Sequence, residues 1–489
     1  MSLRRLLRES TLYSIGNIAP KLGAFLLLPV YVRFLSQADY GALALLTSLA
    51  GILSIVYHLG TDAALMRLHF DRSGRDQARL YSTVTIFSMA MAGILTVFLT
   101  LAVGPFFEDL FAGTPFIPLG LLALLLAAVG SITYVPSTLY RATGQAGRFL
   151  RLNLGSFLVS SAISVVLVTA FDFGAAGVLT GQLIATTGVL IVAVLVVSRL
   201  GAWTFDLRTL RSALTLGLPM LPHALSAWAL RLADRWLIVV FIGVSALEAR
   251  AQVGIYAVGY QLGYVVGIAI TSFNAAWSPY FFRIGYRPSA AELYTQMTTV
   301  VIGGFLVLAV GVSALAPEVI AVVARPGYEP AADVMPVIAF ASIFQGLYVM
   351  FVTVVFLTKR TGPLAIITFS AAALNVASNA LLIPEFGIMG AAWATLLAYA
   401  GFAAGTYLLA RRQYPMRIDW ARLIILGLTA AGAVLLARTI GTDPSVVAGA
   451  AHAGVWIGYA GVAAAVCAAP VRRLRILSRN VATEEPATP

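Results

Sequence analysis

The chain reads as an all-α polytopic membrane protein with fourteen transmembrane helices. Three observations lead there. Of its 489 residues, 60% are hydrophobic and only 11% charged, where a soluble chain carries about 25% charged residues. Apolar stretches of about 20 residues, the length that crosses a hydrocarbon core, recur fourteen times with short connections. The basic residues then fall on alternate connections, as they do when one side of a membrane collects Lys and Arg.

The stretches run in order at 11–33, 41–65, 81–104, 116–140, 149–171, 176–198, 213–242, 252–275, 294–317, 334–356, 362–383, 387–410, 421–440 and 446–468. With the N-terminus placed inside, 25 of the 32 Lys and Arg fall on inside segments. Only Arg33, Arg250, Arg325 and Arg438 fall outside. A miscount by one helix would scramble that alternation, so both termini are expected in the cytoplasm. The basic MSLRRLLRES start runs directly into a full span, which is not the pattern of a cleaved signal peptide. The last stretch, RRLRILSRNVATEEPATP, reads as a basic membrane-proximal end with a polar tail.

Three basic residues remain, Lys21, Arg231 and Arg235. They lie within spans one and seven. Among the acids, Asp62 on span two and Asp234 on span seven fall well inside hydrophobic segments. A charge at the centre of a bilayer costs at least about 2.5–3.5 kcal/mol, so such groups are expected to face protein, water or a ligand.

The chain also repeats itself. Asp172-Phe173-Gly174-Ala175-Ala176-Gly177 joins spans five and six, and Glu385-Phe386-Gly387-Ile388-Met389-Gly390 joins spans eleven and twelve, 213 residues on. Gly41 and Gly254 share that offset. The pattern predicts two pseudo-repeated six-helix lobes, 1–211 and 212–412, then spans thirteen and fourteen over 413–470 and a cytoplasmic tail over 471–489. Parallel repeats of this kind place substrate between the halves.

Those placements single out candidate functional residues. On span seven, at about 100° per residue, His223 and Asp234 point nearly the same way, with Arg231 about 60° and Arg235 about 100° away. One broad polar face is expected, with Asp234 pairing Arg231 three residues back. The alternative is that Arg231 and Arg235 snorkel at the outer interface and pair Asp234 structurally. Pro219 and Pro222 should kink the helix. On span one, Asn17 and Lys21 share a face, with Lys21 near mid-membrane. On span two, His58 and Asp62 share a face, and an imidazole beside a carboxylate suits proton coupling, though a static pair neutralising Lys21 or Arg67 reads equally from the residues. Asn274, on span eight, adds a neutral polar group. Tyr256, Tyr260, Tyr264, Trp277, Tyr280, Phe281 and Phe282 suit an interfacial aromatic belt, and Tyr260, Tyr264 or Trp277 could stack on sugar. His69 and His452 read as interfacial. Cys467, the single cysteine, reads as a small buried hydrophobe, with no disulfide framework and no thiolate metal site.

Absent features exclude other classes. No phosphate-binding loop, metal-ligand cluster or nucleophile elbow stands in the sequence, and no large hydrophilic loop could hold a soluble active site. Neither an enzyme, a cofactor nor a nucleic-acid partner is expected. The net charge of +12 belongs to the loops.

The runs LGLPMLPHALSAWALRLADRWLIVVFIG, VGIYAVGYQLG and SFNAAWSPYFF resemble the second half of polysaccharide-export flippases, the O-antigen and exopolysaccharide translocases. The opening STLYSIGNIAPKLGAFLLLPVYVRFLSQADYGAL resembles their first half. The resemblance implies membership of the multidrug/oligosaccharidyl-lipid/polysaccharide exporter superfamily, with two six-helix lobes around a central cavity. It implies a bacterial inner-membrane flippase for undecaprenyl-diphosphate-linked oligosaccharide, partnered by membrane lipids and by glycan polymerase and export components. The family's cationic cavity matches Lys21, Arg231 and Arg235 by location. Asn17, His223 and Asn274 are then expected to meet sugar, and Asp62, His58 or Asp234 to couple transport to protons. Spans thirteen and fourteen could form a groove for the lipid tail, as in the peptidoglycan-precursor flippase. A drug/cation antiporter of the same fold and a membrane glycan ligase or polymerase are the rival readings.

Overall fold

The computed structural model describes residues 3–201, 203–441 and 444–483. The polar tail expected at the C-terminus lies outside the described residues from 484 on, as do the side chains of Arg4, Arg5 and Arg8.

Long apolar helices account for nearly every expected span. Twelve helices among the described residues are long and apolar enough to cross a membrane, and a bent pair, Ala246–Gly263 with Val265–Ile284, makes a thirteenth. One of the twelve, Leu364–Arg411, has 48 residues. Straight, it would run roughly 72 Å, more than twice the hydrocarbon thickness. It is not straight: Gly387 leaves helical geometry at φ 55° and ψ −134°. The two arms then fold back on each other. A Cβ on Gly405 would lie 2.9 Å from Ile367, one on Gly401 would lie 3.0 Å from Leu374, and one on Gly390 would collide with the Leu382 carbonyl. This hairpin is spans eleven and twelve, and the chain crosses fourteen times.

The duplication is visible in backbone geometry. Gly174 and Gly387, 213 residues apart, both turn the chain in the left-handed region, at φ 53° and 55°. An L-residue there carries a steric cost that glycine does not.

By contacts the chain divides into two compact units, Met1–Gly254 and Ile255–Pro489. In the first unit, span two (Gln37–His58) stops earlier than its apolar run suggests. Leu59 and Gly60 both adopt left-handed backbone, and a short helix, Thr61–Phe70, restarts beyond them. Span seven is broken as well. It runs Leu207–Gly217, passes through a 3₁₀ turn at Leu218–Met220, resumes as Leu221–Leu232 and resumes again as Asp234–Phe241. Pro219 and Pro222 sit at the first break, where each removes a backbone donor.

In the second unit, span nine (Ala290–Ala314) carries spans thirteen and fourteen on small residues. A Cβ on Gly303 would press on Cys467 Sγ at 2.8 Å, and one on Gly311 on the Trp456 ring at 2.8 Å. Trp456 Nε1 donates to the Val307 carbonyl at 3.0 Å, and Tyr459 donates to that of Leu426 at 3.1 Å. Cys467 is buried, as its apolar setting suggested.

The tightest helix crossing lies in the first unit. A Cβ on Gly41 would collide with the Arg250 carbonyl oxygen, and one on Gly254 with that of Gln37. Gly41→Val is therefore expected to destabilise the fold by about 1–3 kcal/mol. A thermal melt in detergent reads this, and an unchanged midpoint would contradict the contact.

Candidate functional site

Two helix breaks meet in the first unit, and most of the candidate residues surround them. A Cβ on Gly60 would collide with the Gly217 carbonyl, so the end of span two abuts the first break of span seven. Further along the seam, Ser48 receives three contacts. Its hydroxyl donates to the Leu232 carbonyl at 3.3 Å and accepts from Trp236 Nε1 at 3.1 Å, while its carbonyl accepts from Trp228 Nε1 at 3.1 Å. Span seven interrupted at Ala233 leaves carbonyls without helical partners, and the Ser48 hydroxyl satisfies one of them.

This seam places the span-seven charges. Ser48 lies halfway along the 22-residue span two. Leu232, which touches it, lies against the middle of that helix, and Arg231, Asp234 and Arg235 lie within one turn of it. The expected single polar face is not formed: Arg231 is exposed, whereas Asp234 and Arg235 are buried. Arg231 is exposed, donating Nε to the Ala227 carbonyl at 3.2 Å. Asp234 is fully buried, and Arg235 is 8% exposed, giving Nη1 to the Arg231 carbonyl at 3.0 Å. Arg231 is in no ion pair among the described residues, so the Asp234–Arg231 pairing expected from the three-residue spacing does not form.

Lys21 is exposed on span one, and the charge of Arg231 reaches it. Lys21 and Arg231 thus share one neighbourhood, and neither has a carboxylate partner among the described residues. Asn17 is exposed and turned onto its own helix, Nδ2 donating to the Tyr13 carbonyl at 3.0 Å. His223 is half-buried in Leu221–Leu232. In the second unit, Asn274 accepts from Ser278 at 2.7 Å, and Ser278 lies 3.3 Å from Thr353.

His58 and Asp62 come together even though the helix between them is broken: Nδ1 lies 3.5 Å from the carboxylate. The same nitrogen also accepts the Gly60 amide at 3.3 Å. A chain of hydroxyls joins this pair to span four. Thr61 bonds the His58 carbonyl at 2.6 Å and the Tyr134 hydroxyl at 2.7 Å, and Ser88 bonds that hydroxyl at 3.1 Å. Arg67, a sequence-level alternative partner for Asp62, pairs with Asp71 at 3.1 Å instead.

Several sequence expectations are corrected. His69 is buried, its Nδ1 2.9 Å from the Tyr81 hydroxyl. His452 is buried too, with Nδ1 2.6 Å from Glu318 and Nε2 3.1 Å from the Ala437 carbonyl. Each is covered by a packed neighbour. Tyr256, Tyr260, Trp277 and Phe281 are core residues at 7% exposure or less, where an aromatic belt was expected. Tyr264 is half-buried and accepts from Gln345 at 3.2 Å. Two residues that sequence reasoning passed over, Asn375 and Asn379, are fully buried on span eleven; Asn379 donates to the Asn375 carbonyl at 2.8 Å, and the Asn375 side-chain amide has no partner among the described residues. Their signal was two asparagines one turn apart in an apolar run.

Long apolar helices through the described residues, with two cations inside the expected spans that have no carboxylate partner there, define a polytopic membrane protein. The sequence profile of the polysaccharide biosynthesis protein family matches residues 6–285, more than half of the chain. The chain belongs to that family. A curated protein of Haemophilus influenzae, named for the Lsg locus, is 24% identical over 297 residues, which are 57% of this chain and 66% of that protein's length. Solved structures share the fold. A lipid II flippase, MurJ, in an inward closed conformation, superposes with a TM-score of 0.75 at 12% identity over 93% of this chain and 98% of that one. A MATE transporter of Vibrio cholerae gives 0.59 at 14% identity over 84% and 96%. An inward-facing multidrug resistance transporter of the MOP superfamily gives 0.57 at 15% over 82% and 94%.

His69 lies outside the membrane spans, and burial holds its pKa below the ordinary value. The unfolded chain then takes up a proton first as pH falls, near about pH 6.5, and stability drops from there down to the folded pKa. Thermal midpoints of the wild type should fall more steeply below about pH 6.5 than those of His69→Gln. Parallel curves would exclude the effect.

Proposed function

We propose that the protein is a flippase for polyprenyl-diphosphate-linked oligosaccharide in the bacterial inner membrane, with both termini in the cytoplasm. The observation that carries the reading is the pair of unpaired cations, Lys21 and Arg231, on spans one and seven. A lipid-linked sugar presents a tail that the bilayer accepts and an anionic, hydrated head that it rejects. Guanidinium and ammonium groups offered at depth lower the cost of the diphosphate through charge-assisted hydrogen bonds. Asn17, His223 and Asn274 are neutral groups suited to sugar hydroxyls. Two six-helix lobes, the first over 1–211 and the second over 212–412, would alternate access around that site. The His58–Asp62 pair, 3.5 Å apart and tied to Thr61, Tyr134 and Ser88, is the group best placed to exchange a proton. The family assignment and the fold shared with a lipid II flippase support the same reading.

A drug/cation antiporter of this fold is less well supported, because a cationic substrate gains nothing from two unpaired cations. A glycan ligase or polymerase would need a large loop with catalytic side chains, and the connections are short.

A deletion strain should accumulate lipid-linked repeat units on the cytoplasmic leaflet. Accumulation on the outer leaflet would indicate polymerase or ligase activity, and no accumulation would sink the flippase reading. Lys21→Ala and Arg231→Ala should each weaken cargo affinity about 10- to 100-fold at normal expression, read as surface glycan. Arg235→Ala, being buried, should chiefly lower the melting temperature. Wild-type glycan with both Lys21→Ala and Arg231→Ala would remove them from the site.

A further inference from the structure

A second binding feature within the first unit carries its own cations, Arg148 and Arg151. Spans five (Ala146–Thr169) and six (Gly174–Leu200) leave a groove of about 480 Å³ between them. Its mouth carries Arg148 and Arg151, three residues apart and so on one helix face. Both are exposed. Arg148 gives one Nη1 to Gln145, and Arg151 gives Nε to the Gly147 carbonyl. Neither is in an ion pair among the described residues, and the remaining guanidinium donors point to no carboxylate there.

The groove's walls are apolar, formed by Leu152, Val159, Ile184 and Val192. Its width comes from Gly155 and Gly188, where an added Cβ would meet nothing within 4 Å. Behind the groove is a chamber of about 470 Å³, lined by spans one, two, four, five and six. Groove and chamber share Leu152, Ser156, Ala185 and Val189 as a common wall. The chamber is polar yet uncharged. Ser54, Ser137, Asn153, Ser160 and Gln182 line it, and no Asp, Glu, Lys or Arg among the described residues does.

Three chemistries therefore lie side by side: a pair of free guanidinium groups, an apolar trough and an uncharged chamber of hydroxyls and amides. We propose that the groove seats the carrier of a lipid-linked sugar, with its diphosphate on Arg148 and Arg151, its prenyl chain along Val159, Ile184 and Val192, and its first sugar directed at the chamber. This rests on the flippase reading and adds to it a docking place for cargo on cations other than Lys21 and Arg231. Two guanidinium groups match a diphosphate, which carries more than one negative charge and accepts in the fork geometry that Arg presents. A bulk phospholipid with a single phosphodiester would need one of them and would have no use for the chamber.

The test uses the purified full-length protein in detergent and native mass spectrometry, with undecaprenyl diphosphate and phosphatidylglycerol as separate probes. The Arg148→Ala/Arg151→Ala double variant should bind undecaprenyl diphosphate at least tenfold more weakly, and Gly188→Leu, which fills the trough, should do the same. Phosphatidylglycerol adducts should be unaffected in both. The substituted positions are exposed or open, so melting temperatures should match the wild type and separate lost binding from lost fold. Unchanged undecaprenyl-diphosphate binding in folded variants overturns the dock while leaving the flippase reading intact. Equal loss of phosphatidylglycerol also overturns it, because the groove would then be a general phospholipid site. A wild-type protein that does not bind undecaprenyl diphosphate at all overturns the dock and the flippase reading together.

Discussion

The arrangement of charge in this protein depends on one seam, where span two lies along span seven. Gly60 against Gly217 lets two backbones touch, and Ser48 between Trp228, Leu232 and Trp236 holds the second break in place. A broken helix inside a bilayer has carbonyls that lipid cannot satisfy. Each break is therefore viable only where a neighbour supplies a donor or close packing. Span two supplies both, through a serine and a glycine. Beside this seam Arg231 is exposed, and Asp234 and Arg235 are buried in the protein.

Much of the span pattern was legible in the sequence, because the bilayer imposes a length and a charge rule on every crossing. The hairpin at Gly387 shows how far that legibility goes. Hydropathy saw two spans, and the backbone makes two helical arms that fold back at Gly387. The acid-Phe-Gly pattern marked the turning point, because a left-handed backbone conformation selects glycine. By contrast, the end of span two at Leu59 carried little warning. Its apolar run continues past the break, and the contact that favours the break comes from Gly217, more than 150 residues away.

Side-chain burial was the least legible property. In a soluble helix, polarity reports exposure. In a membrane helix, lipid and protein both accept apolar side chains, so periodicity no longer tells one from the other. Four of the aromatic residues read as a belt, Tyr256, Tyr260, Trp277 and Phe281, are instead core: Trp277 and Phe281 stack at 5.3 Å and Phe281 meets Tyr294 at 5.2 Å. The burial of His69 and His452 was hidden for the same reason, since Tyr81 and Glu318 reach them from other helices.

The candidate site was legible as a set of residues and not as an arrangement. Counting charges identified Lys21, Arg231, Arg235, Asp62 and Asp234, because each is too costly in hydrocarbon to be incidental. Helical angles then failed at span seven, since they assume an unbroken helix. On a continuous face, Asp234 would neutralise Arg231 and leave little field for an anion. With Asp234 turned inward, the exposed charge that remains is of one sign, carried by Arg231 beside Lys21. Like charges held together at low dielectric repel, and their energy falls when an anion joins them. Under the proposed function, an anion on Arg231 and Lys21 would relieve that repulsion, with no carboxylate among the described residues competing for either cation.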